Sequence, residues 1–174
     1  MLKAYEISGN ILFEENQKYP SWVSWAVRLA MLVTILGLLI GLILGNDKTD
    51  AAIALAVVIP VGIAVIYLNS NIQFQKTVTS NGLYYRWKPW QKRFRVIEKE
   101  DIDSFSTRKF ALLSYGFGWF PTYGWYHNLS RGQGIQLFLK NGSKFFFSTY
   151  NIELFERAFQ SLVSSKPKST MSEP

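Results

Sequence analysis

Two apolar runs govern everything else this chain can do. Trp22–Leu44 is broken only by Ser24, Arg28 and Thr34, and Ala51–Leu68 holds no charge at all. As helices their 23 and 18 residues reach about 34 Å and about 27 Å, against a hydrocarbon core of about 30 Å. The six residues Gly45–Asp50 between them are just enough to reverse direction. In lipid every backbone amide must be bonded internally, so two closely linked runs predict a transmembrane helical hairpin, 22–44 and 51–68. The remaining chain is too short to bury two such helices in a soluble core. A cleaved signal peptide is excluded as well. The first run is too long for one, and it follows 21 residues carrying Glu6, Glu14 and Glu15.

Charge sets the expected orientation. Of 19 Lys and Arg, 15 follow the hairpin against seven carboxylates, so residues 69–174 carry 15 − 7 = +8, essentially the whole net charge of +7. Lys76, Arg86 and Lys88 stand close after the second run, and positive residues stay on the cytoplasmic side. The prediction is a multi-pass protein of the cytoplasmic membrane with both termini inside, and Trp22, Trp25 and Tyr67 in the interfacial belts. Within the hairpin, Gly37, Gly41 and Gly45 recur every four residues, as do Ala52, Ala56 and Ala64, with Pro60 in the open place. Small residues at that spacing let helices approach closely, so these faces are expected to pack on each other, with homodimerisation as the competing use.

After the hairpin the pattern changes to short alternating runs. Ile72–Thr79, Leu83–Lys88, Arg93–Ile97, Ile102–Phe110, Thr122–His127, Ile135–Leu139 and Lys144–Thr149 read as strands, with Asn81-Gly82 and Asn141-Gly142 as hairpin turns. At Asn151 the period becomes helical: Ile152, Phe155, Phe159 and Leu162 share a face, Asn151 is the N-cap, and Pro167 stops the helix. The expected class is a membrane helical hairpin plus an α+β module, a seven-stranded antiparallel barrel or sandwich over 69–166 capped by a helix at 151–164. Residues 1–21 are a separate cytoplasmic segment, and 167–174 a disordered tail.

Several stretches resemble small bacterial membrane proteins that join an N-terminal helix hairpin to a bacterial pleckstrin-homology (PH)-like domain. They are Phe13-Glu14-Glu15-Asn16-Gln17, Ser80–Pro89, Tyr115-Gly116, Gly134-Ile135-Gln136-Leu137 with Asn141-Gly142, and Thr149 before the last helix. Where that family carries Tyr-Gly-Gly-Trp-Gly-Ile-Arg, this chain has Tyr115-Gly-Phe-Gly-Trp-Phe-Pro121 and lacks the arginine. The resemblance implies a PH-like fold and a membrane location. It brings no reaction, cofactor or catalytic residue.

Two segments stand out as binding candidates. Arg86, Trp87, Lys88, Trp90, Lys92, Arg93 and Arg95 interleave basic and aromatic side chains in ten residues. Such a segment suits an anionic membrane surface, or else it is a turn with its aromatics packed inward. Phe117, Trp119, Phe120, Tyr123 and Trp125 belong to a stretch with seven aromatics and three glycines in 12 residues, 115–126. It is either a glycine-bent strand or a surface for a protein partner, lipid or a second copy. The basic-aromatic stretch also has the chemistry to stack bases, but a membrane anchor argues against nucleic acid. With no Cys and one His, disulfides, thiolate nucleophiles and paired-His or Cys-based metal sites are excluded. Glu98, Glu100, Asp101 and Asp103 read as a solvated turn, and His127 has no catalytic companion in sequence. The expected function is therefore non-catalytic: a membrane-anchored scaffolding module for a protein partner or itself, or an anionic-lipid surface sensor, with no cofactor and no metal.

Overall fold

The structure is a computed structural model, and it describes residues 4–45, 48–110, 115–130 and 132–164. The chain divides into two compact units, Tyr19–Ile72 and the flanking Met1–Lys18 with Gln73–Pro174.

The first unit is a helix pair, α1 (Ser21–Leu44) and α2 (Lys48–Asn71), each of 24 residues and each long and apolar enough to cross a membrane. Helix α2 starts earlier and ends later than the apolar run, and Asn46 and Asp47 of the expected turn lie outside the described residues. The packed seam differs from the expected one. Gly37 is exposed, a Cβ on either Gly37 or Gly41 would meet nothing within 4 Å, and Ala52 and Ala56 are exposed. Gly45 closes on its own helix, donating its amide to Gly41 at 2.8 Å. On α1 Ser24, Val27, Met31, Ile35, Leu38 and Leu42 are half-buried, as are Val23 and Gly41; on α2 Ala51, Val58, Ile66 and Asn69 are half-buried, as is Ala54, and Leu55 and Gly62 are buried. Their three-and-four spacing is a knobs-into-holes seam. Met31 fills the place where Gly62 lacks a side chain, and Ser24 Oγ donates to Asn69 Oδ1 at 2.9 Å. A large side chain in a glycine notch thus replaces the small-on-small contact that the fourfold spacing suggested.

The second unit is α+β. Its strands are β1 (Ala4–Tyr5), β2 (Ile11–Lys18), β3 (Gln73–Thr79), β4 (Gly82–Lys88), β5 (Phe94–Glu98), β6 (Ile102–Lys109), β7 (Gly116–Phe120), β8 (Gly124–Asn128), β9 (Gln133–Leu139) and β10 (Lys144–Ser148). They form two five-stranded sheets, ordered β1-β5-β4-β3-β2 and β6-β9-β10-β8-β7. Three features correct the seven-stranded antiparallel expectation. Strand β2 pairs along β3 and belongs to the same unit, so the N-terminal segment is part of the β module. Gly116–Phe120 is a strand in its own right, and β8 runs parallel to β10. Neither β2 nor this parallel pair joins sequence neighbours, which is why local patterning did not reveal them.

Ring stacking shows that the sheets face each other: Phe74 of β3 lies 6.2 Å from Phe147 of β10, and Tyr85 of β4 lies 5.1 Å from the same ring. Helix α3 (Ile152–Ser164) matches its expected range; Asn151 Oδ1 accepts the Leu154 amide at 3.1 Å as its N-cap. Its buried stripe of Phe155, Ala158, Phe159 and Leu162 packs on β2, β3, β6 and β9, with Phe155 against Phe13 at 4.9 Å and Phe159 against Phe105 at 5.6 Å. The expected disordered tail lies outside the described residues.

Candidate binding surface

Strands β7 and β8 form an aromatic hairpin at the edge of the second sheet. Alternation sends Phe117, Trp119, Trp125 and His127 to one face, with Phe117 opposite His127 and Trp119 opposite Trp125. Gly124 makes the hairpin fit beside β10. Its φ of +69° suits glycine, and a Cβ there would run into the Lys144 carbonyl.

At the inner end of that face His127 is buried among rings, 5.3 Å from Phe74, 5.1 Å from Phe147 and 5.0 Å from Tyr85. Trp87 Nε1 donates to His127 Nδ1 at 2.9 Å. Burial first, and then the Arg95 charge, push the imidazole down to about 3, so it is neutral at physiological pH. At the outer end the stack runs into water. Phe117 rests on Trp87 at 5.4 Å yet is 57% exposed, and Trp119 and Trp125 are 60% and 49% exposed. The opposite face of the hairpin is a small second core, where Phe110 stacks on Phe146 at 5.0 Å and meets Tyr123 at a tilt, 4.8 Å away.

The expected aromatic site residues therefore separate. Phe117, Trp119 and Trp125 form one exposed row, and Phe120 sits at the turn, partly exposed. Tyr123 is corrected from the surface to that second core, because its backbone turns it under the hairpin and Phe146 takes its ring edge-on at 5.5 Å.

The basic segment separates in the same way. Trp87 is buried and occupied with His127, so it is not a surface residue. Arg86 is held in place: Nε donates to Gln75 Oε1 at 2.6 Å, Nη1 donates to the Lys92 carbonyl at 3.0 Å, and the guanidinium lies 4.2 Å over Phe94. Arg95 pairs opposite Tyr85, whose phenol burial raises against the pull of that arginine. Lys88, Trp90, Lys92 and Arg93 face outward, with Lys88 half-buried and Trp90 55% exposed. The Pro89–Arg93 turn is braced internally, since the Gln91 amide donates to the Trp87 carbonyl at 2.7 Å and Gln91 Oε1 accepts the Trp87 amide at 3.1 Å.

Register fixes where this turn lies in the β unit. Lys18 pairs with Gln73, and Gln73 with Lys88. The turn therefore stands at the end of the first sheet where the chain departs at Lys18 and returns at Gln73. The other end of that sheet is acidic, with Glu98 opposite Gly82 and Glu100 and Asp101 following. An open polar recess of about 440 Å³ lies there, lined by Ser8, Asn81, Tyr84, Glu98, Lys99 and Glu100 among others.

One cluster escaped the sequence reading. Lys76 is fully buried, and its Nζ bridges Glu15 Oε2 at 3.0 Å, donates to the Ser148 carbonyl and lies 4.2 Å over the Phe155 ring. Glu15 also accepts Thr149 Oγ1 at 2.6 Å, the Tyr150 amide at 2.8 Å and Gln17 Nε2 at 3.0 Å. Burial pulls Lys76 down to about 8, while Glu15 opposes that shift. Burial works to raise Glu15, but Lys76 and the three hydrogen bonds hold it below the ordinary carboxylate value. Parity was the available signal, because Phe74, Lys76 and Val78 alternate onto one buried face. With its bonds filled from within, this cluster is a clamp joining β2, β3 and the start of α3. Among the described residues no group of three or more His, Asp or Glu converges as a metal site would need.

Comparison of the chain with protein-family models, curated proteins and solved structures finds no match.

Proposed function

We propose that this chain is a non-catalytic, membrane-anchored binding module. Helices α1 and α2 span the cytoplasmic membrane with both termini inside, and the β unit, PH-like in having a C-terminal helix packed on two sheets, offers the β7–β8 hairpin to a partner. The observation that carries this reading is the row Phe117, Trp119 and Trp125. Three large rings, each 49–60% exposed on one side of an edge hairpin, are adhesive surface that a folded domain gains nothing by leaving in water. The internally satisfied states of His127 and of the Lys76–Glu15 pair support a structural use of both, and so a function of binding rather than chemistry.

The absence of cysteine makes the test direct. Single cysteines at Thr49 and Asn141 are labelled in intact cells with an impermeant maleimide, and the membrane fraction is washed with alkaline carbonate. The chain should stay in the membrane, with Thr49→Cys labelled from outside and Asn141→Cys only after lysis. Extraction by carbonate, or the opposite labelling pattern, would overturn the anchored reading.

A further inference from the structure

We infer that the ligand of this surface is the anionic headgroup layer of the bilayer, which the β unit docks upon with its tethered end. The inference rests on the membrane-anchored reading and names what the exposed row binds.

Three observations converge on it. The first is the charge at one end of the first sheet. The end bearing Lys18 and Lys88, and the turn that continues with Lys92 and Arg93, has no carboxylate in residues 86–95. The other end carries Glu98, Glu100 and Asp101, but Lys99 lies among them and the Lys140 amide donates to the Asp101 carbonyl, so its carboxylates are interspersed with lysines. A turn carrying basic residues with no carboxylate in its own segment is drawn to a negative surface. The second is the placement of the rings. Trp90 projects from the basic turn itself, and Phe117 is packed on Trp87, one residue before Lys88, so the exposed row joins the basic end. Indole and phenyl groups beside lysine and arginine are the pairing that headgroups and the acyl boundary accept together. Residues 115–127 hold no charged side chain to keep that row out of the interface. The third is connectivity. Lys18 and Gln73, the chain's exit and return, pair in the row that also holds Lys88, so the tether to the helices is attached at this end of the β unit. An acidic protein would meet the same charges, but only the bilayer is held there by the chain itself.

The full-length chain is reconstituted in nanodiscs made of zwitterionic lipid alone or with a third of phosphatidylglycerol. A bimane label is placed on Thr122→Cys at the hairpin turn or on Asn81→Cys at the exposed β3–β4 turn, beside Glu98 at the opposite end of the first sheet from Lys88, with a headgroup-linked quencher in the lipid. With anionic lipid, quenching at Thr122 should exceed that at Asn81, and it should fall in high salt. Lys88→Gln, Lys92→Gln and Arg93→Gln should each weaken docking about fivefold. Trp119→Ala should release the hairpin without altering the far-ultraviolet spectrum.

Equal quenching at the two sites, or quenching at Thr122 that ignores lipid charge, would overturn the inference. Quenching that appears only when a co-purified protein is added would do the same, and would identify a protein partner instead. Failure of the chain to enter nanodiscs at all would instead sink the membrane-anchored reading.

Discussion

Lys76 takes an ammonium group into the interior of the β unit, where its stability depends wholly on Glu15, the Ser148 carbonyl and the Phe155 ring. A buried pair contributes little over an apolar isostere, but breaking one leaves an uncompensated charge. Lys76→Met should therefore lower stability by about 3 kcal/mol, and adding Glu15→Gln should restore part of the loss. Thermal melts of the single and double variants check this, and strictly additive losses would refute the coupling. His127 makes a second prediction, in pH. Its folded value of about 3 lies below the ordinary 6.5, so below 6.5 the unfolded chain takes up a proton that the folded chain refuses. Stability is thus complete above about 6.5 and drains away as pH falls toward 3, with a limiting slope of about 1.4 kcal/mol per pH unit. Melting temperatures between about pH 7 and about pH 5, above the range in which Glu15 titrates, should fall for the wild type. They should stay nearly level for His127→Gln, which keeps an acceptor for Trp87. Both residues were legible only as parity on buried strand faces. Nothing local in sequence says which distant group will meet an inward lysine or histidine.

At the scale of elements, local periodicity was enough for the two long helices, for α3 with its Asn151 cap, and for the Asn-Gly hairpins. It misled where two periodic patterns overlap on one helix. The Gly37-Gly41-Gly45 stripe and the Ser24-Val27-Met31-Ile35-Leu38 seam lie on the same α1, and only the partner helix decides which is used. The observed seam makes a sharp prediction. Gly62→Leu places a side chain where Met31 already sits and should destabilise the hairpin by about 1–3 kcal/mol, whereas Gly37→Leu should cost little. The readout is disulfide formation between Ser24→Cys and Asn69→Cys, whose native side chains meet at 2.9 Å. Cross-linking should be efficient in the parent and in Gly37→Leu and impaired in Gly62→Leu; the reverse order would restore the glycine stripe as the seam. The basic-aromatic stretch was legible in a different sense. Its composition was plain, but only the tertiary contacts separate Trp87, buried against His127, and Arg86, held by Gln75, the Lys92 carbonyl and Phe94, from the exposed Trp90, Lys92, Arg93 and Arg95.

At the scale of the whole molecule, the helix pair is an insertion into a sheet. Strand β2 comes before it and β3 after it, yet they pair over seven positions from Ile11↔Thr79 to Lys18↔Gln73. A fragment beginning after the helices would lose the edge strand, the Glu15 half of the clamp and the Phe13 ring that meets Phe155. It would also bury Lys76 without its carboxylate. Residues 73–164 alone should therefore fail to give a cooperative melt. Paired strand residues stand only about 5 Å apart, a gap that a two-residue turn closes. Joining Lys18 to Gln73 through Asn-Gly, with 19–72 removed, should leave the sheets intact and deliver a water-soluble β unit with the near-ultraviolet signal of the packed Trp87 and Tyr85 rings. Circular dichroism and gel filtration of the two versions decide the matter. If the fragment without β2 melts as cooperatively as the joined chain, the N-terminal strand is an accessory and the clamp does not hold the unit together. If only the joined chain folds, the β unit is a single domain whose sequence was opened to admit a pair of long apolar helices, with its basic, tryptophan-bearing end at the point of entry.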